Sequence, residues 1–301
     1  MDCGAPRAML TLVSELQRRR PTWVFSLLDD ELAAEARKVG AEVICGFRDR
    51  WPDSAPRRWA GTALALRRTI RQHQINVLHC HSAPGNRYCY PASRLTGVPL
   101  VTHQRDTYKK DHFHRWVART DHIIAISEWA KVNLPERLRQ KTTVVYDAVA
   151  IPAEERLDAR NSSHKLVVGM AGRCVPEKGH DLLIRASLAL LERHDFSVEI
   201  WGWSEEGAPG EFARILRSEV RESGRSDAFH FEGYRLDMEN FYQRVDIVVV
   251  PSRVKEGFGL MAAEGLAWRK SVAAASHGGL VEIVEDGRTG LHFAPGDAES
   301  L

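Results

Sequence analysis

Short apolar, β-branched runs alternate with stretches of helical periodicity along this chain, and they do so in two successive series. WVFSLL (23–28), AEVICGF (41–47), INVLHCH (75–81), PLVTHQ (99–104), HIIAIS (122–127) and TTVVYDAV (142–149) form the first series. A polar, turn-rich stretch follows at 152–165, PAEERLDARNSSHK, and reads as a linker. The pattern then restarts with KLVVGMAG (165–172), SVEIWG (197–202), FHFEG (229–233), DIVVVPS (246–252), SVAAAS (271–276) and LHFAP (291–295), with helical stretches such as DLLIRASLALLERH (181–194) between them. Nearly continuous apolar strands of this length are those of a parallel sheet covered on both faces, built from βαβ units. The expected fold class is therefore α/β, two doubly wound Rossmann-like domains with parallel sheets, spanning 1–155 and 160–301.

The 301 residues are enough for two domains of that kind. No apolar run approaches the roughly 18 residues of a membrane span, and the first twenty residues lack the pattern of a secretory signal. Cytoplasmic residence is the expectation. Cys3, Cys45, Cys80, Cys89 and Cys174 are scattered without a C-x-x-C pair, which favours reduced thiols over a disulfide or metal scaffold. The net charge of +2 divides unevenly: residues 1–155 hold 24 Lys and Arg against 17 Asp and Glu, leaving 18 against 23 for the rest. A basic first half suits anionic ligands, acidic acceptors or a phospholipid surface, and is equally well explained as solvated faces. Nucleic acid is disfavoured because the cations are dispersed and no recognition motif is present.

In open α/β sheets, ligands bind beyond the carboxyl ends of the strands, so the loops there carry the chemistry. After the run 246–252 the chain reads EGFGLMAAEGLA (256–267). Gly257 and Gly259 allow close backbone approach, and a helix starting nearby offers unpaired amides and a positive dipole end, a seat for phosphate. Helical side chains lean toward the N-terminus, so Glu264 can turn back toward whatever occupies that end, where a carboxylate suits paired sugar hydroxyls. Glu256 lies in the loop itself. The plain alternative is two acids that complement the helix dipole. Upstream, KLVVGMAG runs into GRCVPEKGHD and places Arg173 and Lys178 on another strand-end loop, where two cations could neutralise a diphosphate or be solvated surface charge. His79, His81 and His103 read as satisfied structural histidines.

The run GYRLDMENFYQRVDIVVVPSRVKEGFGLMAAEGLA with HGGLVEIVEDGRTGLHFAPGD resembles the donor domain of the retaining GT-B glycosyltransferases of family four, with their E-x7-E motif. GMAGRCVPEKGHDLLIRA is similar to that family's phosphate loop. VPLVTHQRD, HIIAISEWAKVNL and TTVVYDAVAI resemble its acceptor-domain strands, so the likeness spans nearly the whole chain. It implies a GT-B fold of two domains facing across a cleft, and transfer of a sugar from a nucleotide-sugar donor to a glycan, lipid-linked or small-molecule acceptor with retention of configuration. On this resemblance Glu264 binds the nucleotide ribose, while Glu256 with the amides of Gly257, Phe258, Gly259 and Leu260 serves the sugar and diphosphate. Arg173 and Lys178 hold the phosphates, and His103 reaches toward the transferred sugar. No metal or other cofactor is expected, and no D-x-D triplet is present to anchor one. Contact with the inner face of a membrane through the basic first domain is a further expectation.

Several positions depart from the family pattern. The chain opens on a helical stretch (7–18) where the family has a central strand and a glycine-rich turn, and it stops soon after its last strand, without the family's closing helices. Both features suggest a fragment. Arg269 stands where a glycine helix cap is usual, YDAV (146–149) replaces an Asn-Gly turn, and Trp203 falls near the nucleotide pocket, where base stacking and core packing are equally compatible with the sequence. Two alternatives to the transferase follow: a non-catalytic or truncated GT-B piece that binds nucleotide sugar, and a nucleotide-sugar epimerase of the same fold.

Overall fold

The computed structural model describes residues 4–26, 29–45, 56–105, 114–157, 165–206, 210–235 and 238–301. The chain divides into two compact units, the first ending at Ala148 and the second running Val149–Leu301.

In the first unit the helix Gly4–Gln17 precedes β1 (Trp23–Ser26), β2 (Glu42–Cys45), β3 (Leu78–Cys80), β4 (Leu100–Gln104), β5 (His122–Ala125) and β6 (Thr142–Val144). All six strands lie inside the segments that periodicity selects, trimmed at their ends. All pair in parallel; β1 pairs with β2, and β3-β4-β5-β6 form a separate four-stranded ladder. The two groups share no ladder hydrogen bonds among the described residues. Side-chain packing nevertheless links them, since Phe25 of β1 packs on the cluster of Leu66, Ile70, Leu78, Cys80, Ala92 and Leu100. Helix starts and stops obey local chemistry. The Asp30 carboxylate accepts from the Ala33 amide at the head of Glu31–Lys38, the Ser127 hydroxyl accepts from Ala130, and Gly97 ends Asn86–Thr96 in the left-handed region.

The second unit holds β7 (Leu166–Ala171), β8 (Phe196–Trp201), β9 (Phe229–Glu232), β10 (Ile247–Val250), β11 (Ser271–Ala275) and β12 (Gly290–Phe293), again all at the expected places. They form one parallel sheet in the order β12-β11-β10-β7-β8-β9. Both faces are covered. Val249 joins Met170, Val198, Ile200 and Leu216 on one side, while Val248 and Val250 join Phe241, Tyr242, Ala262 and Val272 on the other. That two-sided burial is why these strands read as unbroken apolar runs. Strand order reverses between β7 and β10, so the loops after these two strands flank the switch point.

The linker reading at 152–165 is corrected in part: Glu154–Leu157 forms a helical turn tied to the second unit by Arg156–Glu239 and Arg269–Glu154 ion pairs, and 158–164 lie outside the described residues. Arg269 adopts φ 56°, the left-handed cap that the sequence assigns it. Among the described residues no helix is long and apolar enough to cross a membrane.

Candidate functional site

At the switch point the β7 loop ends in a 3-10 turn, Pro176–Lys178, and then Gly179 opens the helix His180–Leu190 without a side-chain cap. The β10 loop ends at Gly259, φ 108°, which opens the helix Leu260–Ala267 without a side-chain cap. Two helix N-termini therefore start at one edge of the sheet, each lacking the acidic or hydroxyl cap that most helices carry, which is the electrostatic setting for an anion. Gly179 is required by the close approach of the loops. Its φ is +77°, and a Cβ built there would stand 2.0 Å from the Pro251 carbonyl oxygen.

Two of the predicted residues, Lys178 and Glu256, meet here. Lys178 Nζ lies 2.6 Å from Glu256 Oε1, and the Ser252 hydroxyl donates to the same oxygen. Burial pushes the Glu256 carboxyl up, but the adjacent Lys178 ammonium and the Ser252 hydroxyl outweigh it and hold the group below the ordinary carboxylate range. Glu256 is thus an anion matched to a cation on the facing loop. Arg173 is exposed on the same loop as Lys178, and its side chain makes no hydrogen bond or ion pair among the described residues. Gly257, Phe258, Gly259 and Leu260 form the turn into the helix, with Phe258 buried beneath it. Glu264 sits one turn further on and accepts a 2.7 Å hydrogen bond from the Tyr242 hydroxyl.

The sequence reading missed the braces that hold these groups. Arg253 donates in bidentate fashion to buried Asp181 in the first helical turn after Gly179, and it also donates to the Pro176 carbonyl. Its own amide donates to the Glu177 carbonyl at 2.8 Å. One arginine therefore locks the two loops that carry Lys178 and Glu256. The HGG turn supports the same loop, because Gly279 N–H donates to the Glu256 carbonyl at 2.8 Å and the His277 ring lies 2.8 Å from the Ser252 carbonyl. Tyr242 is the third brace, buried and stacked on Trp268 at 6.0 Å. Arg253 carries no signal in sequence, whereas an aromatic residue four positions before a buried strand could have been marked as core-facing. Trp203 is resolved in favour of the core: it is buried against Phe231 at 4.3 Å and His180 at 6.3 Å.

Burial has a titration consequence. His180 is fully buried, and desolvation lowers its pKa to about 4. The unfolded chain takes up that proton near pH 6.5 while the folded one does not, so stability is complete above pH 6.5 and falls below it. Denaturant melts at pH 7 and pH 5 should differ by about 2 kcal/mol from this residue, and the difference should shrink by that amount in His180→Asn. An unchanged pH dependence in the variant would refute the assignment.

In the first unit His103 lies on β4, buried, with His79 on β3 and His81 just after it. Ring centroids are 4.2 Å apart for His79 and His81, and 5.2 Å from each to His103. Burial first, then the neighbouring charges of Arg105 and the other rings, lowers them to about 4 for His79, about 2 for His81 and about 3 for His103. All three are neutral imidazoles at pH 7. The reading of His79 and His81 as satisfied structural histidines is corrected: buried Nε2 of His79, Nδ1 of His81 and Nε2 of His103 have no hydrogen-bond partner among the described residues. YDAV acquires a role as well, since Asp147 forms a buried 2.6 Å ion pair with Arg105.

Comparison with known proteins agrees with this geometry. Residues 3–151 match the family described as Glycosyltransferase Family 4, and residues 165–301 match that described as Glycosyl transferases group 1. The chain is 30% identical over 217 residues to the lipopolysaccharide core biosynthesis mannosyltransferase LpcC of Rhizobium leguminosarum bv. viciae, a match covering 69% of this chain and 60% of that protein. It is 37% identical over 275 residues to a D-inositol 3-phosphate glycosyltransferase of Actinosynnema mirum, covering 78% and 64% respectively. The matches thus span under two thirds of these relatives' length. Among solved structures, Anabaena HepE in complex with UDP and glucose superimposes with a TM-score of 0.83 at 19% identity, covering 99% of this chain and 84% of that one. The two family matches, which between them take in nearly all of both units, together with the GT-B structural likeness place the chain in the group 1, family 4 GT-B glycosyltransferases.

Proposed function

We propose that the protein transfers a sugar from a nucleotide-sugar donor to a glycan or lipid-linked acceptor, with retention of configuration and without a metal in the transfer step. The observation that carries this reading is the 2.6 Å Lys178–Glu256 pair beside two uncapped helix N-termini at the switch point of the second sheet. A donor diphosphate would lie against the amides of Gly257, Phe258, Gly259 and Leu260, with Lys178 and exposed Arg173 as its counter-cations. As the anomeric carbon–oxygen bond breaks, negative charge grows on the departing phosphate, and fixed amides and an ammonium already in place stabilise it without reorganising. Glu264, oriented by Tyr242, would accept from the ribose hydroxyls. Glu256, held ionised, would accept from hydroxyls of the sugar. We assign His103 to hydrogen bonding with the transferred sugar, a role that the family resemblance supplies. The acceptor class rests on the names of relatives such as the lipopolysaccharide core mannosyltransferase. Contact with a membrane surface through the basic first unit belongs to the same proposal.

Binding and hydrolysis of UDP-, GDP- and ADP-sugars in the presence of EDTA test it, with wild type compared against Glu264→Ala. Turnover that persists in chelator and falls in the variant supports the reading. Turnover abolished by chelator, or indifferent to the substitution, overturns it. Isomerised donor without any acceptor would indicate the epimerase instead.

Tyr242→Phe gives a finer prediction. Loss of a hydrogen bond to a charged group is worth roughly 1.5–3 kcal/mol, so donor affinity should fall at least tenfold, with kcat changed far less. Equilibrium titration of the nucleoside diphosphate measures this, and unaltered affinity would remove Tyr242 from the site.

A further inference from the structure

We propose that His79, His81 and His103 form a binding site for one divalent transition-metal ion that prefers imidazole, such as zinc or cobalt(II). The register of two neighbouring strands creates it. β3 and β4 pair in parallel with His79 opposite Val101 and Cys80 opposite Thr102, and one further step brings His81 alongside His103. Residues two apart share a face, and paired residues point the same way, so all three imidazoles rise from one face at the carboxyl ends of the strands.

Their ligating nitrogens all lie within 4.8 Å of one another. Zinc–nitrogen bonds of about 2.0–2.1 Å, arranged tetrahedrally, place nitrogens roughly 3.4 Å apart, so ring rotations of about an ångström close the set. The three nitrogens without partners are the second observation. Each buried polar atom left unpaired is costly, and His103 is only 7% exposed, so water does not readily satisfy it. A metal ion would engage all three at once and leave a fourth position open. Three nitrogen donors without a carboxylate disfavour magnesium and calcium.

Arg105 limits the affinity. Its Nη2 lies 3.5 Å from His103 Nδ1, while Nη1 pairs with Asp147 at 2.6 Å. A metal on His103 Nε2 leaves the ring proton on Nδ1, facing a guanidinium donor, so Arg105 has to turn wholly toward Asp147. A site with a carboxylate in that position would bind about 10–100-fold more tightly. The site shares His103 with the transferase reading. A metal on its Nε2, with Nδ1 facing Arg105, leaves no ring nitrogen for the sugar, so metal-bound and sugar-bound states of this ring are mutually exclusive. The readout of the test is not activity.

Cobalt(II) titration of the untagged, EDTA-stripped chain tests it, followed by visible absorption. One equivalent should give d–d bands of a low-coordinate nitrogen site, displaced by one equivalent of zinc and untouched by magnesium. His81→Gln, checked for folding by its thermal melt, should weaken binding by at least about 100-fold. Within the wild type itself, paramagnetically shifted NMR signals from three imidazole rings are expected, a measurement independent of any variant. Absence of the bands in wild type, bands that survive His81→Gln, or signals from fewer than three rings would each overturn the proposal.

Discussion

Lys178→Ala is expected to lower kcat/KM for donor cleavage by about 10²–10³, measured with EDTA present, because a fixed charge aimed at a developing anion is typically worth about 3–4 kcal/mol. The substitution acts twice. It removes the ammonium that would meet the diphosphate, and it leaves Glu256, whose side chain is 18% exposed, without its counter-ion. In the native protein Lys178 holds the Glu256 carboxyl below its ordinary range, so that carboxylate stays ionised on mild acidification, and its contribution to stability is lost only as the pH falls through the lowered value. Without Lys178, burial dominates and the carboxyl titrates higher. The acid limb of the rate profile should therefore move to higher pH in Lys178→Ala and return toward the native position in Lys178→Arg. A profile with an unmoved acid limb would mean that the ion pair seen between the loops has no part in the chemistry.

Gly179→Ala should be the most damaging single methyl in the second unit. The residue sits at φ +77°, and the added carbon would fall 2.0 Å from the Pro251 carbonyl oxygen and 2.9 Å from its carbon. Neither backbone strand can yield cheaply, since Arg253 ties the same two loops through Asp181, Pro176 and Glu177. Left-handed strain of about 1–2 kcal/mol adds to overpacking of about 1–3 kcal/mol, for a loss near 3 kcal/mol or more. For a unit of this size that corresponds to a fall in Tm of roughly 10 °C. Donor binding should also weaken, because separating the loops draws Lys178 away from Glu256. Gly224→Ala is the matched control: φ there is +71° but no atom lies within 4 Å of the added carbon, so only the conformational cost remains. Equal losses at the two positions in thermal melts would show that loop contact is not what Gly179 provides.

These two expectations depend unequally on sequence and on fold. Lys178 and Glu256 were legible in the sequence because each follows a buried strand at the distance where a strand-end loop turns into a helix, and the glycines around them mark close backbone approach. Their pairing was not legible. It arises because β7 and β10, 76 residues apart at their last and first residues, become neighbours at the reversal of strand order. Arg253–Asp181 and Tyr242–Glu264 are of the same kind: an arginine on a loop and a tyrosine in a helix are ordinary residues until the sheet places a buried carboxylate beside each.

The sequence by itself determined the twelve strands, the parallel α/β class, the linkage of acids and glycines at 256–264, and the left-handed cap at Arg269. Each of these is local, written in hydrophobic periodicity and in the backbone preferences of a few neighbouring residues. Only the tertiary structure decided which loops meet at the switch point, which arginine braces them, and that β3 and β4 align so that His81 comes beside His103. Those outcomes depend on strand order and register, which are set by the packing of whole sheet faces rather than by any short stretch of chain.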